Sequence, residues 1–97
     1  LFNLLLYSTV TAQSPLSKVI DFEVVDTPIP DALIDLSEAA EISIAFHPHL
    51  FSRSKKISLS LQQKSIEFIL KACLKTTKIT FKMENDHIIL YEKGNAL

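Results

Sequence analysis

Glycine is nearly missing from this chain, with Gly94 the single example in 97 residues. A loop that cradles phosphate with its backbone needs several, so a glycine-rich nucleotide loop is excluded. Cysteine is as scarce. Cys73 stands alone, which rules out an internal disulfide and a zinc site built from several cysteines. There is no tryptophan, and no excess of either charge: 10 basic residues stand against 11 acidic ones, for a net charge of −1. Nucleic-acid binding needs a basic excess on one face, so nucleic acid is not an expected partner. The longest apolar stretch falls short of the roughly 20 residues of a membrane-crossing helix, so no span is expected within the chain. No Ser-His-Asp spacing and no carboxylate pair in an apolar setting can be found. The expectation is a protein that is not an enzyme and takes no cofactor.

What is present is a globular balance, 47% apolar and 22% charged, in a length that holds one domain. The opening is of a different kind. Leu1 to Ala12 is a short apolar run ending in small residues, with Val10 and Ala12 where a signal peptidase reads its −3 and −1 positions. An initiator Met and a basic start are lacking. Residues 1–12 are read as a signal-peptide remnant, which makes the domain an exported one.

The remainder repeats itself. Sliding the chain by 37 positions lays Phe22 on Leu59, Val24 on Leu61, Ile29 on Ile66, Leu33 on Leu70, Leu36 on Cys73 and Ile44 on Phe81. Each copy runs strand, helix, strand. Residues 21–25 and 57–61 have the alternation of strands. Ile29, Leu33, Leu36 and Ala40 mark one helical stripe, and Ile66, Ile69, Leu70, Cys73 and Leu74 the other. Phe68 lies off that second stripe, which suggests a helix covered on two sides. Ser65 is placed to cap the second helix. Strands follow at Ser43–Phe46 and Ile79–Met83, and a last strand, His87–Tyr91, closes a hairpin through Glu84-Asn85-Asp86. The fold class expected is α+β: two βαβ units, with two helices sandwiched between two small β-sheets, plus a C-terminal β-hairpin.

Some of these residues form a pattern that resembles a known family. Phe22-Glu23-Val24 followed by Ile29-Pro30-Asp31-Ala32-Leu33, then Ile42-Ser43-Ile44-Ala45-Phe46, is similar to the first half of the secretin and TonB N-terminus short domain. Lys56 to Leu61, Ser65-Ile66-Glu67, Ile79 to Lys82 and His87 to Leu90 resemble its second half. The resemblance spans residues 20–92, leaving 93–97 as the start of a linker or a truncated end. It implies a docking and signalling domain of a TonB-dependent outer-membrane transporter, at the periplasmic face of the outer membrane. The partner implied is the periplasmic domain of an anti-sigma regulator, or the rest of the transporter. The alternatives are the N-terminal assembly domain of a secretin and, behind it, a free-standing periplasmic ligand-binding domain. The family places Gly at the end of each helix where this chain has Glu41 and Lys78. Either the helices end differently here or a left-handed residue is tolerated without Gly.

Docking is expected at strand edges, where small sheets offer unpaired backbone groups. The candidates are Phe22 and Val24 on the first strand and His87, Ile89 and Tyr91 on the last. Three other features read as ordinary structure. His47-Pro48-His49 has too few ligands for a metal and reads as a turn. Cys73, on the apolar stripe, reads as a small core residue. Arg53-Ser54-Lys55-Lys56 reads as a solvated loop, and Asp31, Asp35, Glu38 and Glu41 as the solvent face of the first helix.

Overall fold

The computed structural model describes residues 14–51 and 55–94. The expected signal remnant, Arg53, Ser54 and the last three residues lie outside them. After a single 3-10 turn at Pro15–Ser17 come β1 (Val19–Pro28), α1 (Ile29–Ala40) and β2 (Ser43–Ala45). A 3-10 turn at Pro48–Phe51 leads to β3 (Lys56–Ser65), α2 (Ile66–Cys73), β4 (Ile79–Glu84) and β5 (His87–Glu92). This is the α+β order read from the sequence.

The strands of each unit part company. β1 and β3 pair antiparallel as one two-stranded sheet, while β2, β5 and β4 form the other, in that order. The 37-residue repeat appears in the first sheet as a pseudo-twofold axis. Its register pairs Phe22 with Leu61 and Val24 with Leu59, Ile20 with Lys64 and Thr27 with Ile57, Val19 with Ser65 and Pro28 with Lys56. Exchanging every residue for its counterpart 37 positions away returns the same set of pairs. The axis passes through the Glu23–Ser60 pair, which maps onto itself.

Two β-bulges obey the same symmetry. β1 carries an extra residue between Val24 and Thr27, and β3 carries one between Leu61 and Lys64. Asp26 and Gln63 take positive φ there, 46° and 53°. The Asp26 N–H donates to Ser58 Oγ, and the Gln63 N–H to Asp21 Oδ1, both at 2.8 Å. The bulges explain why both strands run beyond the 21–25 and 57–61 legible in sequence. An extra residue breaks period-two alternation while pairing continues past it.

Helix starts match as well. Ile29 N–H donates to Lys55 O at 3.0 Å, and Ile66 N–H to Lys18 O at 2.8 Å. Each helix thus anchors a free N–H on the chain entering the other unit's strand. Ser65 caps α2, its Oγ accepting from Phe68 N–H at 3.1 Å. α1 has no side-chain cap and begins at Ile29, with proline in its first turn, where no donor is lost.

The helix ends differ, and each realises one of the two alternatives. Glu41 sits left-handed at φ 56°; its N–H donates to Glu38 O and the next N–H, of Ile42, to Ser37 O. That is a Schellman ending made without glycine. α2 stops at Leu74 with φ −99°, and the chain turns through Thr77. The Thr77 hydroxyl donates to Leu74 O and accepts from Ile79 N–H. Lys78 is not among the residues at positive φ.

The core lies between the sheets. Ile29, Leu33 and Leu36 of α1, Ile66, Ile69, Leu70 and Cys73 of α2, and Ile88 of β5 are fully buried, with Phe22, Val24 and Leu90 closing the sheet sides. Each such aliphatic side chain contributes on the order of 1.5–3 kcal/mol by leaving water. Burial pushes the Cys73 thiol up to about 11, and it has no other role visible than filling space. Phe68 departs from expectation: it is 48% exposed, with Lys64 Nζ 5.0 Å from its ring centroid, so no second layer of the described residues covers it.

Candidate docking surface

The hairpin that carries the candidate site is fixed by Asn85 and Asp86, at φ 51° and 68°. Two residues with positive φ between paired Glu84 and His87 make the tight turn whose twist suits β-strands. From this turn the pleat deals side chains to two faces. Ile88 and Leu90 point to the core, with Phe81 and Met83 opposite them on β4. His87, Ile89 and Tyr91 point outward, opposite Glu84, Lys82 and Thr80.

Here the expectation of strand edges is corrected. β5 is the middle strand, paired antiparallel with β4 over its whole length and parallel with β2 from His87 to Ile89. His87 and Ile89 are therefore not at an edge. A hairpin's last strand looks outermost in sequence, but Ile44 brings β2 back beside it, and that pairing is non-local. Phe22 and Val24 are also relocated: both side chains are buried, so their strand has only its backbone to offer along the side away from β3. The free edges among the described residues are those of β1, β2, β3 and β4.

What the structure brings together is a face. Ser43 and Ala45 of β2, His87, Ile89 and Tyr91 of β5, and Thr80, Lys82 and Glu84 of β4 share the outer side of the three-stranded sheet. Tyr91 is 39% exposed and Ile89 half-buried. Lys82 Nζ lies over the Tyr91 ring, 5.7 Å from its centroid, a cation–π approach. His87 Nδ1 and Ser43 Oγ share a hydrogen bond of 2.8 Å that ties β2 to β5. An amphipathic ring beside aliphatic surface, with a cation over it, suits protein recognition. The outer face of the β1–β3 sheet carries Asp21, Glu23, Ser58 and Ser60, with Val19 and Val25 exposed among them and no aromatic ring. Sequence reasoning missed Ser43, Ala45, Thr80 and Lys82. Their signal was available in the alternation of β2 and β4.

The two histidines of the 47–49 turn stack with ring centroids 4.6 Å apart. His47 Nδ1 accepts the N–H of His49 at 3.2 Å, which commits that nitrogen within the turn. They line a cleft of about 510 Å³ with Lys55 and Glu92. Among the described residues no three His, Cys, Asp or Glu side chains are grouped to share an ion. No described helix is long and apolar enough to cross a membrane.

The fold recurs in two crystal structures, at 1.65 and 2.50 Å resolution, of a candidate anti-sigma factor from Parabacteroides distasonis ATCC 8503. They match with TM-scores of 0.65 and 0.64 at 26% sequence identity. The match covers 76% of this chain and 34% of that protein, so the chain spans about a third of its length. No curated protein matches the sequence. Residues 42–93, from β2 through β5, match the family described as "Secretin and TonB N terminus short domain". That is more than half of the chain, and the chain belongs to this family.

Proposed function

We infer that this domain is the periplasmic docking and signalling module of a TonB-dependent outer-membrane transporter. It contacts an anti-sigma-type regulator and does no chemistry of its own. The observation that carries this reading is the family match over residues 42–93. The outer face of the three-stranded sheet is the surface we assign to docking, with Tyr91 and Ile89 as its apolar centre and Lys82 beside them. The buried Phe22 and Val24 serve the fold instead.

The anti-sigma neighbour favours a second reading. The same fold forms part of a candidate anti-sigma factor, and on this reading the domain stands on the regulator's side of such a contact. Calorimetric titration separates the two. On the first reading the domain binds the periplasmic part of an anti-sigma-type regulator from the same genome, and Tyr91→Ala or Ile89→Asp weakens binding at least about tenfold, the loss of one interface anchor. On the second it binds the N-terminal domain of a transporter instead. Binding to neither, by a folded domain, removes both.

A further inference from the structure

The pseudo-twofold gives each surface position an internal control, because its counterpart shows what the fold itself accepts there. α1 and its end carry Asp31, Asp35, Glu38 and Glu41, all exposed, and no basic residue of their own; the Lys18 ammonium donates to the Ala40 carbonyl at that end. In the other half Lys71 stands for Ile34, Lys75 for Glu38 and Lys78 for Glu41. The acids of α1 and its end thus have basic counterparts at Lys71 on α2 and at Lys75 and Lys78 just past its last turn, so neither charge is dictated by the fold.

The two faces also differ in shape. Ile34 is 49% exposed at the centre of the acidic face, with Asp31 and Glu38 one turn away on either side. Beside α2 a groove of about 450 Å³ opens against β4. Its floor includes Leu74 and Phe81, and its rim Lys71, Lys75 and Lys93. Glu67 pairs with Lys71 at 3.3 Å. Among the described residues none of the four acids near α1 enters an ion pair, and neither do Lys75 and Lys93.

We propose that this groove receives α1 of a second copy of the chain, with Ile34 over Leu74 and Phe81 and with Asp35 and Glu38 facing Lys75 and Lys93. Charge complementarity selects the occupant, and the exposed Ile34 supplies the apolar contact. Two different surfaces meet, so the contact closes into a dimer if it is made twice and otherwise runs head to tail. Its ion pairs are exposed, which makes the association weak and sensitive to salt. This proposal does not depend on the transporter reading.

Sedimentation velocity on the chain tests it. The expected result is a mass that rises with concentration in about 50 mM salt and falls back to the monomer in about 500 mM. Lys75→Glu/Lys93→Glu and Asp35→Lys/Glu38→Lys each remain monomeric alone, with the wild-type circular dichroism spectrum. Mixed in equal amounts they associate again, because an acidic groove then meets a basic helix. Ile34→Asp abolishes association without reversing a cation. A wild-type chain that stays monomeric in low salt at about 1 mM overturns the proposal. So does a mixture of the two folded variants that fails to associate.

Discussion

The carboxylate of Asp21 accepts the backbone N–H of Gln63 at 2.8 Å, and Ser58 does the same for Asp26 at the matching distance. Donors and acceptors alike are 37 residues apart. The sequence repeat is thus a repeat of backbone devices as well as of apolar spacing, and the two halves act as controls for each other.

Asp21→Ala and Ser58→Ala each leave one bulge N–H to water. Both sites are exposed, so each costs about 0.5–1.5 kcal/mol in urea unfolding. Both bulges sit in one two-stranded sheet, so the double variant reports whether they are coupled. A cost for either variant near zero contradicts the role given to these side chains.

Glycine substitution separates the two helix ends. Glu41→Gly relieves a left-handed non-glycine residue and raises stability by about 0.5–1 kcal/mol. Lys78→Gly frees a residue that is not left-handed and lowers stability or leaves it unchanged. Thermal unfolding of the two variants checks this, and a gain at both positions counts against the different endings described.

Cys73 makes stability fall at high pH. Its thiol is pushed from an ordinary 9.0 up to about 11 by burial. The folded chain therefore holds the proton where the unfolded chain releases it. The stabilisation is fully present below 9 and is lost between 9 and 11, about 1.4 kcal/mol per pH unit. Urea unfolding across that window detects the slope, and Cys73→Ala removes this part of it. Thiol reagents label the native protein only as fast as it opens; labelling at the rate of a free thiol contradicts the buried placement.

Leu70→Ala tests the core on α2. The side chain is fully buried, so its loss costs about 2–5 kcal/mol, a large share of the stability of so small a domain. Phe68→Ala, on the same helix but half exposed, costs far less.

Much of this was legible in the chain. The stripes on both helices, the Ser65 cap and the Asn85-Asp86 turn are local signals, and local signals survive folding. Strand ends were missed where Asp26 and Gln63 break alternation. His87, Ile89 and Tyr91, the residues assigned to docking, read in sequence as an edge. The place of His87 and Ile89 between two strands depends on β2 returning from more than 40 residues away, while Tyr91 lies past the end of that pairing, and no short window of sequence carries that. Phe68 misled for a related reason, since an apolar residue off the main stripe marks either a second buried face or an exposed ring, and periodicity does not separate them.

On the transporter reading, deleting residues 20–92 from the transporter tests the central claim most directly. Uptake of the transported ligand and the transcriptional response to it are measured in the same cells. The docking account predicts that uptake persists while the response disappears, and that Tyr91→Ala alone reduces the response. A deletion that leaves the response intact, or that abolishes uptake together with it, contradicts the account.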